Sequence, residues 1–290
     1  MKHKLYWPVT ALFLMTLGFS GCTSKTKTTT ENSIQLDSLH VEKIYHLLKN
    51  PDNPNCSLQI KFVFPVKYEN NEVLAMTQRH FIRTYFGEPY ENLAPNAAVE
   101  LYVEEYLNDY KSLESDFLIE TKKDEEHEEH EDMSPSDSWF SYYEFSSNEV
   151  LYNKNDLLCY SVSYERYTGG AHGAHSYRAY VIDLKTGLEI KEKDLFIDGY
   201  QEDLAQILVN KIAEENRAKN AKDLENHGFF SIDEIYPNDN FAIDDTGITY
   251  YFNEYEIAAY VVGMTRVHLT YDEIRHLLHK DDRIALLTGN

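Results

Sequence analysis

Lys122 to Asp132 reads KKDEEHEEHED, with seven acidic residues, two lysines, two histidines and no apolar side chain. Such a run cannot enter a hydrophobic core, so it is expected as an exposed loop or inter-domain linker. It divides the apolar residues into two sets, which predicts a small N-terminal domain over 57–120, an acidic linker over 121–138 and a C-terminal domain over 139–290. Upstream, Leu58, Ile60, Phe62 and Phe64 alternate with Gln59 and Lys61, the period of a half-buried strand over Ser57 to Pro65. A helix follows around Leu74 to Tyr85. A second helix carries Val99, Tyr102, Val103, Tyr106, Leu107, Tyr110 and Leu113 at i, i+3, i+4, i+7 spacing.

Downstream the texture changes to Tyr- and Val-rich runs, with strands expected at Trp139 to Tyr152, Leu157 to Tyr167 and Tyr177 to Leu184. Asp183, Lys185, Thr186 and Gly187 supply a turn. A helix is expected near Tyr200 to Lys219, then strands at Phe241 to Ile243, Ile248 to Phe252 and Val267 to Leu269, and a closing helix from Tyr271. This mixed order predicts an α+β fold, a mixed or antiparallel sheet with packed helices, in two small domains. No repeat period is visible.

The N-terminus reads as an export signal. Lys2 and Lys4 precede an apolar stretch, Val9 to Gly18, too short to span a bilayer stably. Phe19, Ser20, Gly21 and Cys22 then resemble the bacterial lipobox, with Phe19 where Leu is usual. That resemblance implies cleavage before Cys22, a diacylglyceryl thioether on its sulfur and a further acyl chain such as palmitate on the new amino group. Two or more chains anchor stably where one does not. The alternative is an ordinary secretory signal cleaved near Gly21. Residues 22–56 are then expected as the lipidated cysteine and a tether, with Thr23 to Asn32 rich in Thr, Lys and Ser. No other run is long or apolar enough to cross a membrane. The expected location is the extracytoplasmic cell envelope, on the periplasmic or outer-membrane face.

With 42% hydrophobic residues the chain can bury a real core. Its net charge of −22 becomes −24 once Lys2 and Lys4 leave with the signal. Nucleic acid is not expected as a partner at that charge, whereas a basic protein is allowed electrostatically, the alternative being a surface that serves only solubility. Beyond Cys22 only Cys56 and Cys159 remain. An exported compartment permits a disulfide between them, and two buried thiols are the alternative.

The most distinctive segment is SYERYTGGAHGAHSYRAYVIDLKTGLEIKEKDL, starting at Ser163, where a Gly-Gly-Ala-His-Gly cluster sits between two strands. Its glycines allow positive φ or close backbone approach. Together with NFAIDDTGITYYFNEYEIAAYVVGMTRVHLTYDEI, from Asn240 to Ile274, it resembles the C-terminal domain of RsiV-like proteins. The matching pieces are the Tyr-x-Gly-Gly-Ala-His-Gly loop, the Asp-Leu-x-Thr-Gly turn, an Asp-Leu-Phe before a helix and a Tyr-Glu-Ile-Ala stretch. The resemblance covers about Trp139 to Leu278, and Ser57 to Phe117 is similar to the smaller domain that often precedes it. Relatives in that family include membrane anti-sigma factors whose outer part binds lysozyme, and peptidoglycan deacetylases carrying this pair beside a separate catalytic domain. Here neither an anti-sigma segment, nor a spanning helix, nor a deacetylase domain after Leu278 is expected. The resemblance therefore implies a stand-alone binding module.

Candidate ligand-binding residues are Tyr167, Gly169, Gly170, His172, Gly173 and His175, because loops on rigid sheets often carry binding groups. His172 and His175 could share a metal ion if the loop curls, but two imidazoles do not make a zinc site. The structural reading has glycines shaping a turn and His172 bonding backbone within it. His127 and His130 among Glu125, Glu126, Glu128 and Glu129 could gather divalent cations, although no rigid frame preorganises them. Gly-x-Ser-x-Gly, His-Glu-x-x-His and a phosphate-binding loop are absent. The expected function is a noncatalytic envelope lipoprotein that binds a lysozyme-like protein or peptidoglycan, without cofactor or metal. Two alternatives are a metal-dependent envelope hydrolase centred on His172 and His175, and a structural or assembly lipoprotein that docks another envelope protein.

Overall fold

The computed structural model describes residues 30–126 and 135–288. The signal segment with Cys22, and His127 and His130 of the acidic run, lie outside the described residues. Strands β1 (Gln35–His46) and β2 (Asn55–Lys67) form an antiparallel pair. Helices α1 (Asn71–Phe86), α2 (Pro95–Lys111), α3 (Glu114–Glu126) and α4 (Pro135–Phe140) follow. Strand β3 (Tyr142–Lys154) then returns parallel to β2, and β4 (Leu157–Thr168), β5 (Ala174–Asp183) and the two-residue β6 (Leu188–Glu189) complete a six-stranded sheet in sequence order. Beyond it come α5 (Gln201–Glu215), β7 (Phe241–Ile243), β8 (Gly247–Phe252) and β9 (Thr265–Thr270), then α6 (Tyr271–Ile274) and α7 (Asp282–Thr288). Strands β7 to β9 make a separate three-stranded antiparallel sheet. The α+β architecture with a mixed sheet is the expected one.

Helix α1 starts where Asn70 accepts hydrogen bonds from the Glu72 and Val73 amides, satisfying two donors of the first turn. Its buried stripe of Val73, Thr77, Phe81 and Tyr85 packs with Ala98 and Val99 of α2 onto Leu58, Ile60 and Phe62 of β2 and Leu158, Tyr160 and Val162 of β4. The opposite face of the sheet contributes Leu157, Cys159, Ala179 and Val181 to a second core, closed by α5 and the β7 to β9 sheet. The alternation of side chains along β4 thus feeds one core on each face, while β2 contributes to the helix side alone.

Several expectations are corrected. The tether placed over 22–56 contains β1, a long edge strand whose residues are mostly exposed or half-buried. Its backbone ladder to β2 holds it together with a half-buried face that sets Leu39 and Val41 against the core, and so it left little periodicity to read. The linker placed over 121–138 is helical up to Glu126 in α3 and again from Pro135 in α4, and the strands on its two sides pair directly, Cys56 with Tyr142 through Lys61 with Ser147. Trp139 belongs to α4 rather than to a strand. The helix opening at Tyr271 is a single turn, capped by Thr270 and Glu273.

No disulfide forms between Cys56 and Cys159, which are free, buried thiols in different core clusters. Cys56 pairs with Tyr142 and Cys159 with Tyr152, positions separated along β3 by roughly 30 Å at the rise of a strand. A disulfide needs Cα atoms about 6 Å apart. Burial pushes the Cys56 thiol up to about 11 and the Cys159 thiol to about 12, so both stay protonated at neutral pH.

Candidate functional site

The sheet face that feeds the second core is covered along only part of its length. Strand β8 has six residues against twelve in β4, so the small sheet spans about 20 Å where the large one runs about 40 Å. Past Ser161 on β4 and Ala179 on β5, the same face presents Ser163, Glu165 and Tyr167, with His175 and Tyr177 beside them. Phe145 and Ser147 of β3, with Gln59 and Lys61 of β2, extend this surface. Asn253, Glu254 and Met264, from the β8–β9 connection, form the opposing wall of a cleft of about 520 Å³.

The Gly-Gly-Ala-His-Gly loop joins β4 to β5 at the open end of this face. Gly169 has φ +85°, and a Cβ there would lie 2.9 Å from the Trp139 carbonyl oxygen. Gly173 approaches Tyr143 so closely that a Cβ would fall 2.7 Å from its hydroxyl. Glycine is therefore required at the first position for conformation and space, and at the second any side chain would have to displace the Tyr143 hydroxyl. Tyr167 donates to the Gly170 carbonyl at 2.8 Å, and His172 Nδ1 donates to the Gly173 carbonyl at 2.8 Å. With its proton on Nδ1, His172 accepts at Nε2 from the Tyr255 hydroxyl, 3.3 Å away.

Tyr260 ties the loop to the second sheet. Its ring stacks on His172 with centroids 4.0 Å apart, and its hydroxyl donates to the Gly173 carbonyl at 3.1 Å. His175 points elsewhere, with Nδ1 3.0 Å from Glu254 Oε1 and Nε2 3.9 Å from Glu165 Oε1. The two histidines thus lie near one another across Tyr260 but are committed to different partners. Among the described residues no group of three or more His, Cys, Asp or Glu side chains is placed to hold a metal ion.

The six candidates of the loop are brought together: His175 lines the cleft, and the other five form its rim. Tyr143, Phe145, Glu165, Glu254, Tyr255 and Tyr260 were missed. Tyr143 stacks on Phe145 at 5.0 Å and 18° and on Tyr167 at 5.9 Å and 23°, giving a row of three nearly parallel, half-buried rings. Burial, then the Glu165 charge, raises the Tyr143 hydroxyl above its usual range, and burial with Glu254 does the same to Tyr260. Both remain neutral hydroxyls at neutral pH. The switch from Leu157, Cys159 and Ser161 to Ser163, Glu165 and Tyr167 on one face of β4 was the signal that could have located the cleft.

A family model described as deacetylase PdaC matches residues 55–175, and one described as a protein of unknown function, DUF3298, matches residues 193–272. The loop from Gly169 to Gly173 therefore falls in the PdaC match, ahead of the DUF3298 region. No curated protein matches. The crystal structure of a DUF3298 family member from Bacteroides fragilis NCTC 9343 is similar, with 29% identity and a TM-score of 0.81 over 90% of this chain and 100% of that one. A DUF3298 family protein from Pseudomonas aeruginosa PAO1, 14% identical, shares the fold with a TM-score of 0.59 over 86% of this chain and 96% of its own. This chain carries a PdaC-like region followed by a DUF3298 region, a domain pair whose function is unknown.

Proposed function

We propose that the protein is a noncatalytic binding module of the bacterial envelope, lipidated at Cys22, and that it takes the glycan of peptidoglycan at the open end of the large sheet. The observation that carries this reading is the row formed by Phe145, Tyr143 and Tyr167 beside a cleft lined by Ser147, Ser163 and Asn253. Flat ring faces take the apolar faces of sugars, while small hydroxyl and amide groups take their hydroxyls and acetamido groups. The resemblance to RsiV-like proteins and the export signal support the same compartment.

Calorimetry of the purified protein with soluble peptidoglycan fragments, and separately with a basic lysozyme at low and high salt, tests this reading. Fragments are expected to bind, with Phe145→Ala losing about tenfold in affinity. Salt-weakened binding to lysozyme alone would replace the glycan by a cationic protein, as the net charge of −22 allows. Metal-dependent release of acetate from the fragments, abolished in His175→Ala, would replace binding by hydrolysis. Incorporation of labelled palmitate that disappears in Cys22→Ala tests the anchor.

A further inference from the structure

Strand β5 is the last long strand of the large sheet, and almost all of its outer edge is sealed. Strand β6 pairs only with Ile182 and Asp183, and the Ile190 amide donates to the Val181 carbonyl at 2.7 Å. Further along, two asparagine side chains stand in for a neighbouring strand. The Ala179 amide donates to Asn240 Oδ1 at 2.9 Å and the Tyr177 amide to Asn253 Oδ1 at 2.7 Å. Both asparagines return an Nδ2 donor to the Tyr177 carbonyl, at 2.9 Å and 3.1 Å.

These bonds set the parity of the edge. The β4–β5 register runs unbroken from Leu157 opposite Asp183 to Arg166 opposite Ala174. Because Tyr177 and Ala179 turn their amides away from β4, His175 does too. No group among the described residues takes the His175 amide or carbonyl. At the next outward position the Gly173 carbonyl is held by Tyr260 and His172. The opening is one residue wide, and it is the kind of exposed edge that proteins otherwise block.

Two cavities meet at this point from opposite faces of the sheet. The cleft of about 520 Å³ reaches His175 and Ser176 on one side. On the helix side a cavity of about 540 Å³ reaches the same two residues and is lined by Arg83, Tyr85, Tyr102, Tyr164 and Arg166. Arg166 is held over the Tyr164 ring at 5.1 Å and 3.3 Å from the buried Glu144 carboxylate, which also accepts from the Tyr102 hydroxyl at 2.5 Å. Arg83 is exposed at the cavity and forms no ion pair among the described residues. In a chain of net charge −22, two guanidinium groups on one cavity mark a place for a carboxylate. Glu165 and Glu254 line the other cavity.

We infer that the His175 main chain docks an extended peptide: one ligand residue pairs its backbone with His175, and the next places a carboxylate between Arg83 and Arg166. Strand pairing sends successive side chains to opposite faces, so the paired residue directs its own side chain over Glu165 and Glu254, which suits a basic group. Asn253 and Tyr260 limit the pairing to this single residue, so the side-chain cavities and not a long ladder supply selectivity. The inference goes beyond the glycan reading and stands or falls separately from it.

The test is a titration of the ¹⁵N-labelled protein with acetyl-Ala-Lys-Glu-Ala-amide, followed by amide shifts. The expected result is saturable binding that moves the His175 amide, weakens about tenfold or more when the Lys amide of the peptide is N-methylated, and weakens about fivefold in Arg83→Ala. Arg83 is exposed, so that variant should stay folded, and an unchanged spectrum away from the cavity checks it. Absence of binding at millimolar peptide, or binding equal for the N-methylated peptide, would overturn the inference. So would binding equal for a peptide with Gln in place of Glu.

Discussion

Two ends of one sheet face differ as much as a core differs from a surface. At one end Leu157, Cys159, Ala179 and Val181 are at most 2% exposed beneath α5 and the small sheet. A few residues along the same strands, Glu165 and His175 face an open cleft, and the Tyr143 to Phe145 rings are half-buried. Backbone pairing is continuous through both ends, so the ladder does not distinguish them. What distinguishes them is the length of the cover: short β7 to β9 strands shield one end from water and leave the other. A strand packed at one end is thereby left open to solvent at the other.

The comparison can be broken most directly at the covered end. Val181→Asp places a charge among α5 and small-sheet side chains without a partner and is expected to cost about 4 kcal/mol or more in urea unfolding. A much smaller loss would mean that the small sheet shields this end poorly. Arg166→Ala comes next. It leaves the buried Glu144 carboxylate with only the Tyr102 hydroxyl, for an expected loss of about 1–2 kcal/mol after allowing for the half-exposed arginine. Equilibrium unfolding at neutral pH, with Arg166→Lys as a partial rescue, measures it.

A third test uses acid. Burial by itself would raise the Glu189 carboxyl, but hydrogen bonds from His80 and Lys191 outweigh it and hold it at about 2, below the ordinary 4.5. Because the folded value is the lower one, the stabilisation is fully present above pH 4.5 and is lost as pH falls toward 2. Glu189→Gln should flatten the acid limb of a stability-against-pH curve, and an unchanged limb would contradict the bonding described. The smallest effect is expected at the open end. Glu165→Ala should change the unfolding free energy by no more than about 0.5 kcal/mol, and a loss comparable to that of Val181→Asp would erase the contrast between the two ends.

Most elements were legible because their periodicities were strong. Leu58 to Phe64, the Val99 to Tyr110 stripe and the paired runs around the Asp244 to Gly247 turn all appear where alternation or helical spacing placed them. Strand β1 was not legible, since an edge strand with one half-buried face carries a weak pattern. The loop glycines were recognisable as conformational requirements, and His172 bonds backbone within the turn as the structural reading had it. The residue that walls the cleft and the two that hold the loop were not recognisable. Glu254, Tyr255 and Tyr260 lie about 80 positions beyond the loop, and no local pattern relates side chains so far apart along a chain.

The amino-acid sequence by itself determined the class of fold, the apolar faces of β2 and α2, and the need for glycine in the β4–β5 loop. Those properties depend on neighbours within a turn or two. Tertiary structure alone decided that strands on both sides of the acidic run share one sheet, that the two cysteines stay apart, and where the second sheet stops. Each depends on which distant segments meet and how far they extend across one another, quantities set by the total burial of many side chains and not by any local period.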